Sequence, residues 1–464
     1  MGAILFIFLS VLIYTTKILH HSRQLTFDKW SEIFISFFIF TNCLGYGLPL
    51  VDLDLPSVNG VFGYKFRMEV YMIITPVFFI LMQQRMQWKL LPIPWYVLLG
   101  IIIFCAVNIM NPNNMAVSST IIALAQLLCY IIFLYIICSC VTIESMMRGI
   151  YEGLLYTTIL QAFLTVCYPI LGITQVVDLF REEVSIRAEQ RPGAPGTFNH
   201  PNSLGGYMAF VITFFTSCYL MGYHKRKSLI LSIVAFFVLI FTFSRTALLA
   251  TIAAVIVLIV IYKTRHSSIF TIRNIFTIIL PLLLGSVALI FLTPIRNSFI
   301  GSNMDEMMLA RLLHFYCGYE IITEHPFIGV GLNAHLEYIR NTISFGSMFG
   351  DVNKIFWRAE EFMFSNPIHN ILLICLSEFG IIGTLPVIFF AVRRLLRIKK
   401  NINGEGVEAY KILSLFSIGL ICCIGIHGMA DWAPFSTLPR NLWIMVFFIT
   451  AVGSRCLSEE KRSY

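Results

Sequence analysis

Arg245 is the first residue whose type and position could do chemistry. It stands in the short polar run Phe243-Ser-Arg-Thr246, between two apolar segments. Its planar guanidinium matches phosphate oxygens at two points, and a charge set among apolar residues is costly enough that a functional use is a fair expectation. The alternative is a structural arginine that extends its charged end to water while its stem covers apolar surface. The sequence leaves both open.

Arg311 is a second candidate ligand for an anion. The apolar positions around it keep helical spacing and predict one face of a helix: residues 309, 312, 313, 316 and 319. Arg311 falls off that stripe, so a solvated arginine on an amphipathic helix is the competing interpretation. We expect the helix to end before Pro326, and the run Phe327-Ile-Gly-Val-Gly331 predicts a tight turn.

His369 is the candidate general base. It follows Pro367, which suits the first turn of a helix, and a neutral imidazole is a common group for removing a proton from a hydroxyl near neutral pH. A capping or interfacial histidine is the alternative. Glu378 lies about half a helical rotation away and should not pair with His369. By contrast, His427 and Asp431 have i, i+4 spacing, and we expect them to form a structural pair.

A polar stretch that leads into the apolar segment 207–223 supplies further candidates. It reads Arg191-Pro-Gly-Ala-Pro-Gly-Thr-Phe-Asn-His-Pro-Asn202. Four of its side chains are possible substrate-binding groups: Arg191, Asn199, His200 and Asn202.

The elements that must position these residues are membrane-spanning helices. Of the 464 residues, 58% are hydrophobic and 12% are charged, and the mean hydropathy is +0.80, whereas a soluble domain carries about 25% charged residues. The apolar blocks run to roughly 17–25 residues, enough to cross ~30 Å of hydrocarbon. They predict an all-α, polytopic transmembrane helix bundle of 12–13 spans: 3–19, 32–50, 69–84, 93–110, 117–140, 150–173, 207–223, 229–243, 246–262, 273–293, 368–392, 410–430 and 441–455.

Basic residues predict which side the candidate residues face. Most of the 33 Lys and Arg fall in one alternate set of loops, and such loops stay cytoplasmic. The C-terminus is then cytoplasmic and all candidate residues gather on the outer side. The N-terminus comes out external, although a 12-span arrangement would move it.

The chain reads as one membrane domain over residues 1–464. Its longest outer loop, 294–367, is expected to contain short helices. The cysteines lie mostly in apolar segments and indicate neither a disulfide framework nor a zinc site, and no metal or cofactor is expected. Residues 3–19 lack a basic start and a small-residue cleavage site, so we interpret them as a retained helix.

The ordered motifs of residues 190–385 resemble the O-antigen ligase and polymerase family. These motifs are Gly196-Thr-Phe-Asn-His-Pro-Asn202, Ser244-Arg-Thr-Ala-Leu-Leu-Ala250, Arg311 followed by Pro326-Phe-Ile-Gly-Val-Gly331, and His369-Asn370 with Glu378-Phe-Gly-Ile-Ile-Gly383. Each motif alone is weak, and their order and common side make the resemblance fairly specific. The first 180 residues resemble the family only in being a series of membrane spans, without any of its motifs.

The resemblance implies a glycosyltransferase that uses an undecaprenyl-diphosphate glycan at the periplasmic face of the bacterial cytoplasmic membrane, without nucleotide or metal. By the motif match, Arg245 and Arg311 correspond to arginines that hold the diphosphate, and His369 corresponds to the base on the acceptor hydroxyl. No nucleic acid is expected as a partner.

Several functions remain open at this stage. The glycan could be ligated to a lipid A core sugar or polymerised as O-antigen or capsule repeat units, and transfer to protein is a third variant. A protein of another class, a lipid-linked oligosaccharide flippase, is a further alternative. A flippase should place charged residues along a path through the membrane spans. The charges here cluster at the outer rim, which favours an enzyme.

Overall fold

The computed structural model describes residues 14, 26–42, 47–52, 65–69, 95–170, 193–198, 200–264, 304–343, 367–403, 407–429, 431 and 437–460. The predicted spans 69–84 and 273–293 fall outside these residues apart from Glu69, and so does the first predicted span apart from Tyr14. Arg191 and Asn199 also fall outside.

The described residues form twelve helices and one hairpin. The helices are α1 Phe27–Asn42, α2 Trp95–Met110, α3 Val117–Cys140, α4 Ile143–Ile170, α5 Pro201–Met221, α6 Lys225–Phe241, α7 Arg245–Thr264, α8 Met304–Glu324, α9 His335–Thr342, α10 Ile371–Asn403, α11 Glu408–Gly428 and α12 Thr437–Glu460. The strands are β1 Gly47–Asp52 and β2 Lys65–Glu69, which pair antiparallel.

The prediction of a polytopic helical membrane protein is confirmed. Five of the described helices are long and apolar enough to cross a membrane: α3, α5, α7, α11 and residues Ile371–Arg393 of α10. Helices α8 and α9 occupy the predicted outer loop. The total of 12–13 spans stays a prediction, because several predicted spans lie outside the described residues.

The second predicted span was too long at its C-terminal end. Helix α1 ends at Asn42, and residues 47–52 belong to β1 instead. Pro49 lies within β1, and proline has no backbone N–H to continue a helical hydrogen-bond pattern. The strands form a two-stranded ribbon with a register shift between Pro49 and Val51.

Helix α5 is the centre of the bundle. It packs against α6, α7 and α11, and its aromatic side chains Tyr207, Phe210, Phe214 and Phe215 are fully buried. Its ends follow from local chemistry: Pro201 occupies the first turn, where a missing N–H costs nothing. At the other end, Gly222 takes the left-handed conformation that favours glycine. The N-terminal end of α5 is therefore held rigidly at one end of the bundle.

Helix α10 is broken at Gly380, where φ is 59° and ψ is −166°. In an unbroken helix the carbonyls of Ser377 and Glu378 would accept from amides four residues further on. Here they accept from the amides of Val330, at 2.8 Å, and Gly331, at 2.9 Å. The turn after α8 thus donates hydrogen bonds to the two carbonyls that lose their helical partners at the break.

The amides beyond the break are satisfied by the same turn. Ile381 donates to the carbonyl of Pro326 at 2.8 Å, and Ile382 donates to the carbonyl of Phe327 at 3.1 Å. Unpaired backbone groups inside a membrane cost several kcal/mol each, so a helix break there needs such partners. The motifs 326–331 and 378–383 are therefore two halves of one backbone lock.

Buried asparagines attach this lock and the residue that follows it, Leu332, to the end of α2 and the turn after it. Asn111 donates from Nδ2 to the carbonyl of Gly329 at 2.9 Å, and Asn108 accepts at Oδ1 from the amide of Leu332 at 2.8 Å. Both asparagine side chains belong to buried residues. The lock consequently fixes α2, α8 and α10 relative to one another.

We expect Gly380→Ala to destabilise the protein by about 3 kcal/mol or more, because positive φ with extended ψ is restricted to glycine and an added Cβ would overlap the backbone of Phe327. The matched control is Gly425→Ala in α11, where no atom of the described residues lies within 4 Å of an added Cβ. Thermal unfolding in detergent tests this prediction. Equal unfolding midpoints for the two variants would contradict the lock.

Candidate functional site

Arg245 is the first residue of α7 and is only partly exposed. The preceding turn places it there: Phe243 has a positive φ of 51°, and the carbonyl of Ser244 accepts from the amide of Leu248 at 3.0 Å, which starts the helix. The N-terminal end of a helix carries partial positive charge and unsatisfied N–H groups. The guanidinium and the helix end therefore present positive charge at the same place.

The turn before α7 packs against the N-terminal half of α5. A Cβ added to Gly205 would contact Ser244 and Ala247, so the two helices approach closely at this point. The amide of Ala194 also donates to the carbonyl of Phe241 at 2.9 Å. The segment before α5 and the turn before α7 are thus joined at one end of the bundle.

Arg311 lies on α8 and is partly exposed, and its positive charge is within electrostatic range of Arg245. Like charges within range of each other repel, and an anion between them relieves that repulsion. Residues 245 and 311 are far apart in sequence and lie on different helices. Two guanidinium groups on separate helices can together bind one anion that has several oxygens.

The predicted apolar face of α8 was only partly right. Leu313 is buried as expected, but Leu312 and Tyr319 are 55% and 62% exposed. The face that packs inward carries Leu313, Cys317 and Ile321. The sequence pattern misled because α8 has apolar residues on two faces, and spacing alone does not show which face meets the protein.

His369 lies just before α10 and beside α8. Its ring is stacked on that of His314, with ring centroids 4.7 Å apart and an interplanar angle of 11°. The two Nδ1 atoms are 3.0 Å apart. Since His314 follows Arg311 by three residues, both side chains lie on neighbouring positions of α8. Helix α8 therefore carries Arg311 about one turn from the histidine on which His369 packs.

His369 is not in the first turn of α10, which corrects its predicted position. Asn370 caps the helix instead: its Oδ1 accepts from the amide of Leu373 at 3.0 Å, and its carbonyl accepts from the amide of Ile374 at 2.9 Å. An asparagine is a stronger N-cap than a histidine. His369 is thereby left outside the helix, so a capping role does not account for it.

Glu378 does not pair with His369, as expected from their spacing. Its Oε1 lies 2.6 Å from Nδ1 of His335 on α9, and both side chains are 1% exposed. This buried pair ties α9 to α10 next to the backbone lock. Glu378 is thus part of the framework that holds His369.

His200 and Asn202 lie at the N-terminal end of α5 and make hydrogen bonds within the protein. Nδ1 of His200 accepts from the amide of Asn202 at 3.1 Å, which caps the helix. Nδ2 of Asn202 donates to Oδ2 of Asp431 at 2.6 Å. Nearby, Asn370 donates to the carbonyl of Met429 at 3.0 Å. The segment after α11 therefore joins the N-terminal ends of α5 and α10.

The expected side-chain hydrogen bond between His427 and Asp431 is replaced by the one from Asn202. The two residues are joined through the backbone, since the amide of Asp431 donates to the carbonyl of His427 at 3.0 Å. Neither ring nitrogen of the buried His427 has a hydrogen-bond partner among the residues that the structure describes. The ring packs instead against Gly206 of α5, where an added Cβ would come within 3.0 Å of it. Spacing within α11 does not reveal a partner that comes from another helix.

His314 is the residue that the sequence analysis missed. Its signal was present, since it stands three residues after Arg311 on a predicted helix. Its role could not be predicted, because a histidine within an apolar stretch gives no sign of its partner.

Among the described residues, no group of three or more His, Cys, Asp or Glu residues is arranged to hold a metal ion.

A comparison with known protein families matches the part of the chain that holds these residues. Residues 228–388 match the family model described as O-antigen ligase, and this stretch contains Arg245, Arg311, His314 and His369. No curated protein matches the chain. The resemblance of this part of the chain to the O-antigen ligase family is therefore confirmed.

Proposed function

We propose that this chain transfers a glycan from undecaprenyl diphosphate to an acceptor sugar at the periplasmic face of the bacterial cytoplasmic membrane. The match of residues 228–388 to the O-antigen ligase family supports a glycosyltransferase-type enzyme. The long apolar helices and the same match support a multi-pass membrane protein. The observation that supports the finer proposal is that α8 carries Arg311 and, three residues on, His314, whose ring packs on that of His369 from a separate part of the chain.

The proposed reaction is a displacement at the anomeric carbon. The acceptor hydroxyl oxygen forms a bond to that carbon while the bond from the carbon to the diphosphate oxygen breaks. The lipid diphosphate leaves with the bonding electrons, and His369 takes the proton of the hydroxyl. Attack opposite the leaving group inverts the anomeric centre.

The arginines act on the leaving group in this mechanism. Negative charge grows on the diphosphate as the bond breaks, and fixed cations stabilise growing charge most effectively in a site shielded from water. The N-terminal end of α7 adds its amides to the charge of Arg245. The repulsion between the two guanidinium groups is relieved once the diphosphate lies between them.

The remaining candidate residues have a smaller part in the proposal. His200 and Asn202 already make hydrogen bonds within the protein, so we assign them to shaping the site and to secondary contacts with the sugars. Arg191 and Asn199 stay predictions from the sequence.

Ligation is preferred over polymerisation because the matched family model is described as O-antigen ligase. In both reactions the donor and the residues around the diphosphate are the same, and only the acceptor differs. A lipid A core acceptor would indicate a ligase, and a second lipid-linked repeat unit would indicate a polymerase. The arrangement of the charges at one end of the bundle supports an enzyme over a flippase.

The purified protein should transfer glycan in the presence of a metal chelator and without nucleotide. The donor is already activated as a diphosphate, so no further energy source is needed. The experiment supplies lipid-diphosphate donor with each acceptor separately and follows the product by mass. A strict requirement for ATP or for a divalent ion would contradict the mechanism.

A further inference from the structure

The ring of His314 is the surface against which His369 is held. His314 is 1% exposed, and its ring is stacked on that of His369 as described above. Nδ1 of His369 lies 3.0 Å from Nδ1 of His314 and also 3.0 Å from the carbonyl oxygen of Pro367. One nitrogen of His369 therefore faces two polar atoms at hydrogen-bond distance.

These distances determine which nitrogen of His369 carries the proton. A carbonyl oxygen only accepts hydrogen bonds, and a neutral imidazole has one donor and one acceptor nitrogen. If Nδ1 of His369 were unprotonated, its lone pair would face the lone pairs of the Pro367 oxygen. If Nδ1 carries the proton, it donates to Pro367, and Nδ1 of His314 is a second acceptor, which places the proton of the neutral His314 ring on its Nε2. The second arrangement removes the repulsion from the Pro367 oxygen.

We propose that His314 is a positioning residue, which together with the carbonyl of Pro367 selects the Nδ1–H tautomer of His369. The lone pair of His369 is then on Nε2, on the other side of the ring from His314. This inference rests on the proposed function insofar as that lone pair takes the acceptor proton. The tautomer itself is a property of the protein without substrate.

Helix α8 gives this arrangement a second consequence. Arg311 and His314 are three residues apart on α8, so one helix carries an arginine for the leaving group and the support for the base. The buried face of α8 carries Cys317 and Ile321 and packs against α10, which follows His369. In the proposed site, the packing of α8 against α10 therefore positions the proton acceptor relative to Arg311.

The first test is to read the tautomer directly. The full-length protein is labelled with ¹⁵N histidine, placed in nanodiscs without substrate and measured at a pH well above the ordinary imidazole pKa of about 6.5. Comparison with His369→Ala assigns the His369 signals. We expect the proton on Nδ1 and the lone pair on Nε2. A proton on Nε2 in the wild-type protein would overturn the proposal without any variant.

The second test separates positioning from packing. His314→Asn retains an acceptor oxygen near the position of Nδ1, whereas His314→Leu removes it. We expect His314→Leu to shift His369 towards the Nε2–H tautomer and to lower the turnover rate at least about tenfold, less than the roughly 10⁴-fold loss that a wrong tautomer causes in serine proteases. Donor binding should be spared, and His314→Asn should recover much of the rate.

His325→Leu is the matched control, because His325 follows α8 directly and pairs with Tyr338 instead, at 2.9 Å. It should leave the tautomer of His369 unchanged. An unchanged tautomer and rate in His314→Leu would contradict the role of His314. A shifted tautomer with an unchanged rate would confirm the positioning and contradict His369 as the base, which separates this inference from the proposed function.

Discussion

Replacing His369 by alanine should lower glycan transfer by about 10²–10⁴-fold, the usual contribution of a general base. The protein should still be expressed and inserted, because Asn370 rather than His369 caps α10. The rate is measured with purified protein, saturating acceptor and varied donor. Loss of the base should lower the turnover rate and leave the donor concentration for half-maximal rate nearly unchanged.

His224→Asn is the control for this variant. His224 is exposed and stands in the left-handed conformation between α5 and α6, at the opposite end of α5 from Asn202, and asparagine tolerates that conformation. Its transfer rate should equal that of the wild-type protein. If His369→Ala also transfers glycan at the wild-type rate, His369 is not the base, whatever the family match implies.

Arg245→Lys and Arg311→Lys should each weaken transfer by about tenfold or more. A lysine keeps the positive charge and loses the planar fork that binds two phosphate oxygens. The loss should appear mainly at low donor concentration, because the changed contact is with the donor. Initial rates as a function of donor concentration measure this effect.

Arg340→Lys is the matched control for the arginine variants. Arg340 is on α9 and lies 3.8 Å from Glu337, one turn away on the same helix, with both side chains partly exposed. A surface ion pair of this kind contributes about 0–1 kcal/mol, so its replacement should not change the rate. Equal effects in all three variants would indicate a general loss of stability and would contradict a diphosphate contact.

The long apolar segments of the sequence were enough to place most of the described helices. The predicted span 117–140 coincides with α3, and the predicted span 246–262 lies within α7. These helices have uninterrupted apolar sequences, and in a membrane such a sequence leaves helix as the available structure. Prediction was good where the surrounding lipid, rather than other parts of the chain, determines the conformation.

The broken helix α10 shows where the sequence was insufficient. The predicted span 368–392 contained no sign of the break at Gly380 beyond the glycine itself, and the run Phe327–Gly331 was predicted only as a tight turn. Their hydrogen bonds to each other join residues about fifty positions apart. Local propensity carries no information about such a partner.

The site was predicted in part for the same reason. Arg245, Arg311 and His369 have residue types that suggest chemistry by themselves. His314 acquires its meaning only from the ring of His369 packed on it. The side chain of Asp431, which follows α11, likewise accepts a hydrogen bond from Asn202 of α5, whereas the i, i+4 spacing predicted a pair with His427. The partners of both residues are determined by contacts between helices.

The most direct test of the account is the affinity of the lipid-diphosphate donor for wild-type protein, His369→Ala and Arg311→Lys, measured by titration without acceptor. If the arginines hold the diphosphate and His369 acts on the acceptor, Arg311→Lys should bind donor about tenfold or more weakly, and His369→Ala should bind it as the wild type does. Wild-type affinity in Arg311→Lys, or equally weakened binding in both variants, would contradict the proposed division of roles.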